Sequence, residues 1–238
     1  LAPAIGAFII HFFHWEAIFI FLTLYAFIVA FFVYKDLPES YTYSKQNIIE
    51  SYKIVLKHKI AIKAMLALGF SFGGFFIIIA KTSFIYIEHF KIQTDYFPFF
   101  FGINFIILIL MIKVNVSLLK KFNPVELVKI AILIQTAAGI LFVFNYENIS
   151  LVTIVILIAI YMSMMAFIFG NCMALALEHF PKNAGVASGV IGVLQFGLGA
   201  IISSIALNFH NETFLPIALS ISIISFFAYL IMRTYKNV

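Results

Sequence analysis

Residues 148–177 read NISLVTIVILIAIYMSMMAFIFGNCMALAL, without one charged side chain. A helix crosses the hydrocarbon core of a bilayer with ~20 mostly apolar residues, and a barrel strand with ~9–11. This stretch is too long for such a strand and lacks the alternation a strand would show. Lipid offers no partner to backbone N–H and C=O groups, so the segment satisfies its own as a helix. Working outward, further charge-free runs cover 17–34, 64–80, 96–112, 130–146, 183–211 and 213–232. Together with 148–177 they predict seven complete spans. Residues 1–13 are apolar as well but cover only about half the ~20 residues of a span.

Composition agrees. Of 238 residues, 64% are hydrophobic and 11% charged, with a mean hydropathy of +1.11. Soluble domains run at roughly 45–50% apolar and ~25% charged. Too few charges remain to cover a water-facing surface, which excludes an ordinary soluble enzyme, a nucleic-acid-binding domain and a disordered tail. The class is an all-α polytopic membrane protein. Its single cysteine, Cys172, can build neither a disulfide framework nor a thiolate metal site. No Gly-rich Lys-Ser/Thr loop for ATP occurs, and the sequence calls for no cofactor.

Basic residues stay on the cytoplasmic side of a membrane, and here alternate connections carry them. Lys35, Lys45, Lys53, Lys57 and Lys59 occupy one connection, Lys120, Lys121 and Lys129 another, then Lys182, then Arg233 and Lys236. The opposite connections hold Lys91 with the acidic Glu88, Asp95, Glu147 and Glu212. This places the 35–59 segment and the C-terminus in the cytoplasm. Lys63 and Lys113, near span ends, are expected to snorkel to the headgroups.

Most connections are short, and 35–59 is the one long boundary. Leu37-Pro38-Glu39-Ser40 ends the preceding helix. From Ser44, the apolar Ile48, Tyr52, Val55 and Leu56 recur at helical spacing, with Lys45, Lys53 and Lys57 toward water. A helix lying on the anionic membrane surface and a solvated linker helix both fit. The expected organisation is the last one and a half helices of an N-terminal bundle (1–34), a cytoplasmic linker (35–59) and a six-helix bundle (60–238). The half-span at the start, opening on Leu rather than Met, reads as the back of an eighth helix and predicts a fragment of a longer protein.

Two regions resemble a known family. Ala2-Pro3-Ala4-Ile5-Gly6-Ala7 followed by His14-Trp15-Glu16-Ala17-Ile18-Phe19 is similar to the fifth-helix antiporter motif of major facilitator superfamily drug exporters. Leu37-Pro38-Glu39-Ser40 is similar to the Leu-Pro-Glu-Thr after their sixth helix. Residues 171–178, then Ala184-Gly185-Val186-Ala187-Ser188-Gly189, Leu194-Gln195 and Gly199-Ala200 resemble the tenth- and eleventh-helix region of the Bcr/CflA subfamily of bicyclomycin and chloramphenicol/florfenicol exporters. The chain departs from the pattern at Ala7, where the family has a second glycine, and at Glu16, where it has a basic residue. The resemblance implies a partial major facilitator fold in a bacterial inner membrane. It also implies efflux of small hydrophobic compounds, protons as the coupling ion, and missing N-terminal helices that would carry the coupling acid.

Pro3 and Gly6 bend a helix and open a close contact. Gly69 with Gly73, and Gly185 with Gly189, put small residues on one helix face, for helix packing or for the rocking of one bundle against another. Amides and hydroxyls inside spans need partners. Under the family layout Ser71, Asn104, Asn171 and Gln195 border a central cavity, with hydrogen bonding to a neighbouring helix the alternative for each, while Gln135 lies on a peripheral helix and bonds a neighbour. Phe72 and Phe76, sharing a face with Gly69 and Gly73, are the choices for an aromatic wall. Two other classes remain open: a membrane enzyme acting on lipid, and a non-transporting remnant. For the first, the His11/His14 pair stands alone and the other histidines scatter among span ends, where a metal would need ligands converging at one depth. Asn211-Glu212-Thr213 matches a glycosylation acceptor.

Overall fold

A computed structural model describes residues 2–38, 47–209 and 213–235. All regular structure among them is helical. Seven helices are long and apolar enough to cross a membrane: Glu16–Asp36, Lys59–His89, Thr94–Leu118, Pro124–Asn145, Leu151–Leu177, Ala184–Asn208 and Leu215–Arg233. His210, Asn211 and Glu212, and with them the glycosylation triplet, lie outside the described residues, as do Glu39, Ser40, Ser44 and Lys45.

The chain divides into two compact units, 1–46 and 47–238. In the first, helix α1 (Ala2–Phe12) packs on α2 (Glu16–Asp36). Pro3 lies in the first turn of α1. No residue of α2 is buried, and its surface is a continuous coat of Phe, Leu, Ile and Val.

The second unit begins with α3 (Ile48–Lys57), capped by the Asn47 side chain, which accepts from the Ile49 N–H at 3.1 Å. Ser51 and Val55 turn into the bundle, while Ile48, Tyr52 and Leu56 stay exposed. Val55 thus leaves the apolar stripe that spacing assigned to it, because α3 docks its Ser51/Val55 edge beside the following helices. Ser51 Oγ donates to Asn183 Oδ1 at 3.4 Å.

The spine of this unit is α4 (Lys59–Ser83), extended by a π-helical turn at Phe84–His89. It is surrounded by α8 (Met165–Leu177), α10 (Leu198–Asn208) and α11 (Leu215–Arg233). A helix enclosed this way in an apolar bundle needs small residues where backbones approach, and α4 supplies Ala61, Ala64, Ala67, Gly69, Ser71, Gly73 and Gly74, all buried. On its flanks, α5 (Phe97–Leu118) packs on α7 (Leu151–Ser163) and α8, and α6 (Pro124–Asn145) packs on α7, α8 and α11. Prolines stand in the first turn of α5, α6 and α11, where a missing N–H costs no hydrogen bond.

Two spans are interrupted midway. Between α7 and α8 the helix breaks at Met164, where Ser163 Oγ donates to the Ile160 carbonyl at 2.9 Å and competes with the backbone ladder. Between α9 (Ala184–Gly192) and α10 the chain takes a π-helical turn at Val193–Gly197 that carries Gln195. Gln135 Nε2 donates to the Tyr161 carbonyl at 3.1 Å and so ties α6 to α7.

Candidate functional site

An apolar cavity of about 510 Å³ lies between α4, α5 and α8. Phe72 and Phe75 wall it from α4, Leu108, Ile112 and Val116 from α5, Leu119 from the C-cap of α5, and Met165 and Phe169 from α8. Among the described residues only two polar side chains reach it, Asn115 and Asn171. They face each other across α5 and α8 and pair reciprocally: Asn171 Nδ2 donates to Asn115 Oδ1 at 3.0 Å, and Asn115 Nδ2 donates to Asn171 Oδ1 at 3.3 Å. Both are buried. A carboxamide in an apolar medium is costly unless bonded, and here each one supplies the other.

Of the six residues expected along a substrate path, Phe72 and Asn171 line this cavity. Phe72 also gathers the aromatic rings, with Phe76 at 4.9 Å, Phe196 at 5.3 Å and Phe169 at 6.4 Å between centroids. Phe76 instead packs over Gly199 of α10. Asn104, fully buried, turns back on its own helix and donates to the Phe100 carbonyl at 2.9 Å. Ser71 is fully buried on α4, with Oγ lacking a hydrogen-bond partner among the described residues. Gln195 is buried in the π-turn of the α9–α10 span.

Asn115 was not among the expected residues. It lies beyond Lys113, past the end of the 96–112 charge-free run. The available signal was its register: it stands three turns after Asn104 on the same helical face.

The small-residue positions divide just as sharply. A Cβ on Gly69 would meet the Leu194 carbonyl oxygen at 2.8 Å, and one on Gly73 would meet Ile202 at 2.9 Å. This face of α4 is therefore a close contact with the α9–α10 span. A Cβ on Gly6 or Gly185 would meet nothing within 4 Å, and one on Gly189 only the Tyr52 hydroxyl at 3.9 Å.

Among the described residues no group of three or more His, Cys, Asp or Glu side chains could hold a metal ion. A family model for the Major Facilitator Superfamily matches residues 1–204. The chain belongs to the major facilitator superfamily.

Superfamily relatives include a bicyclomycin resistance protein homolog of Haemophilus influenzae, 30% identical, the match covering 96% of this chain and 60% of the relative. An uncharacterized MFS-type transporter of Bacillus subtilis, YdgK, is 25% identical over 85% of this chain and 52% of its own length. An uncharacterized transporter of Rickettsia felis is 22% identical over 94% and 59%. The chain thus spans little more than half the length of these curated relatives. The all-helical architecture of its described residues, with seven membrane-length helices among them, is a partial major facilitator fold.

One ionisable cluster of this superfamily member stands at the joint where α3 meets α4. The His58 and His179 rings lie 4.5 Å apart, and Phe180 meets His58 edge-on at 5.2 Å. His58 Nδ1 accepts from the Ala61 N–H at 3.2 Å and so caps α4. Glu178 approaches His179 at 3.6 Å. Burial, and after it the neighbouring His179, pushes the His58 pKa below the ordinary 6.5. Released from the joint, His58 takes up a proton near 6.5, whereas docked it resists one. The stability of the joint is therefore complete above that pH and falls as pH drops through 6.5 toward the docked value. Backbone hydrogen exchange over Ile48–Lys57, corrected for intrinsic rates, is expected to accelerate as pH falls through about 6.5. His58→Asn, which keeps a capping acceptor, should flatten that response; an unchanged response in the variant would assign it to another group.

Proposed function

We propose that this chain is the greater part of a secondary transporter that exports small hydrophobic compounds, drugs among them, from a bacterial cell by alternating access coupled to protons. The observation that carries this reading is the apolar cavity between α4, α5 and α8, with its single polar pair. Ligand sites are mostly apolar with a few placed polar groups, and walls of Phe, Leu, Ile and Met adapt to many shapes. Membership of the superfamily and likeness to a relative named for bicyclomycin resistance support drug export.

In this mechanism the cavity accepts substrate from one side of the inner membrane and releases it on the other. Asn171 and Phe72 contact substrate directly. Ser71, Phe76, Asn104 and Gln195 belong to the same path in other states of the cycle. Gly69 and Gly73 hold α4 against the α9–α10 span, while Pro3, Gly6, Gly185 and Gly189 form the surfaces that move. Lysine placement puts the C-terminus in the cytoplasm.

The complete gene product, expressed in a drug-hypersensitive bacterium, is expected to extrude a fluorescent hydrophobic dye and to stop within minutes of adding a protonophore. Extrusion that persists after the proton gradient collapses would overturn the coupling. Absence of extrusion by a correctly inserted protein would overturn the function.

A further inference from the structure

A groove of about 320 Å³ opens on the surface of the second unit, between α5, α6 and the α7–α8 span, and shares no lining residue with the cavity. Every described side chain that lines it is apolar. Its walls run from Leu118 to Met111 on α5 and from Leu127 to Ile134 on α6, about 10 Å along each axis at 1.5 Å per residue. Phe122, half exposed in the α5–α6 connection, forms one end. Met164, at the break between α7 and α8, also lines it. This extent falls within one leaflet, roughly 15 Å of a ~30 Å hydrocarbon core.

Inside a bilayer, apolar surface alone does not choose between lipids, because all their tails are as apolar as the groove. Selection falls to the charges at its end. Lys120 and Lys121 are exposed and immediately precede Phe122, and neither forms an ion pair among the described residues. Lys129 is engaged elsewhere, donating to the Tyr235 carbonyl at 3.4 Å. Glu126, in the first turn of α6, is the one acidic side chain between Leu118 and Ile130, so this end keeps a positive excess. Lysine placement puts it on the cytoplasmic side, where membranes carry anionic lipid. We infer that the groove binds a phospholipid of net negative charge, one acyl chain lying between α5 and α6 and the phosphate meeting the Lys120 and Lys121 ammonium groups. The site is separate from the cavity and holds whatever compound the cavity takes.

The test uses the complete gene product in nanodiscs of unlabelled phosphatidylcholine doped with a photoreactive lipid. Two such lipids, a phosphatidylglycerol and a phosphatidylcholine, carry the same diazirine acyl chain, and cross-linked peptides are mapped by mass spectrometry. Labelling over residues 111–134 is expected to favour phosphatidylglycerol by about fivefold or more. The exposed far end of α6, 140–144, should show no such preference. The Lys120→Gln/Lys121→Gln double variant should bring the two lipids to near parity, whereas Lys182→Gln, on another basic connection, should leave the preference intact. Ile130→Trp, which adds bulk at an exposed wall, should lower labelling by both lipids. Equal labelling by the two lipids in the unaltered protein, or a preference that survives in the double variant, would overturn the charge selection. Loss of preference in Lys182→Gln would reduce it to general surface charge and overturn it too. Labelling over 111–134 no stronger than over 140–144, or unchanged in Ile130→Trp, would overturn the groove as the site. The two-lipid comparison is read on the unaltered protein and depends on no variant folding.

Discussion

Gly74→Val is expected to destabilise the second unit more than any other single substitution considered for this chain, by about 3 kcal/mol or more. Gly74 is buried on α4, directly beneath the Tyr161 hydroxyl of α7, and a Cβ there would occupy the oxygen's place. Tyr161 has no room to retreat. It is 1% exposed, its hydroxyl lies 2.7 Å from Ser225 Oγ of α11, and Ser225 itself bonds the Ile221 carbonyl at 2.7 Å. The Tyr161 carbonyl accepts from Gln135 of α6. Four helices therefore meet at one residue, and a side chain on Gly74 either expels the tyrosine or parts α4 from α7. Breaking the Tyr161–Ser225 bond would leave the buried Tyr161 hydroxyl without a partner, an added cost of about 1–3 kcal/mol.

Cys172 supplies the readout. It is the sole cysteine and fully buried, so its reaction with a fluorogenic maleimide on heating reports opening of the bundle. Gly74→Val should label at a markedly lower temperature than the unaltered chain. Adding Tyr161→Phe removes the colliding oxygen and should recover part of the loss. A melting temperature equal to that of the unaltered chain, or no recovery in the double variant, would show that this contact does not hold the helices together.

The second large effect belongs to Gly139. It faces Ser222 where α6 lies along α11, and a Cβ would meet Ser222 Oγ at 2.7 Å, Cα at 3.0 Å and the backbone nitrogen at 3.1 Å. The obstacle is backbone, which cannot rotate aside as a side chain can. Gly139→Val should therefore separate two of the most closely packed helices, at a cost of about 2–3 kcal/mol. Gly185→Ala is the counterpart. Nothing lies within 4 Å of a Cβ there, and alanine favours a helix over glycine by about 1 kcal/mol, so its melting temperature should be unchanged or raised. The same thiol assay separates the two. Equal effects at both positions would mean that helix propensity, rather than interhelical contact, governs these glycines.

The contrast among glycines marks where sequence reading stops. Gly69 with Gly73 and Gly185 with Gly189 carry the same four-residue spacing, yet only the first pair meets close neighbours on both residues. Gly74 and Gly139, the two with the most severe contacts, have no spacing that distinguishes them. The asparagines behave likewise. Asn104 sits within a charge-free run and turns to its own backbone, whereas Asn115 lies past a lysine and reaches the cavity. In a soluble helix a polar stripe reveals which face is outward. In lipid the outward face is as apolar as the inward one, so periodicity carries little information about rotation around the helix axis.

From its sequence alone this protein was determined to be a set of membrane-length helices of the major facilitator type, because a bilayer demands ~20 apolar residues per crossing and a backbone that satisfies itself. The family motifs at its two ends could be read for the same reason: they are local strings. Only the tertiary structure decided which amide answers which, which glycine lies against a backbone, and which edge of α3 packs on the bundle. Those outcomes depend on how each helix is rotated and on what stands opposite it, and apolar residues on every side leave that choice to packing.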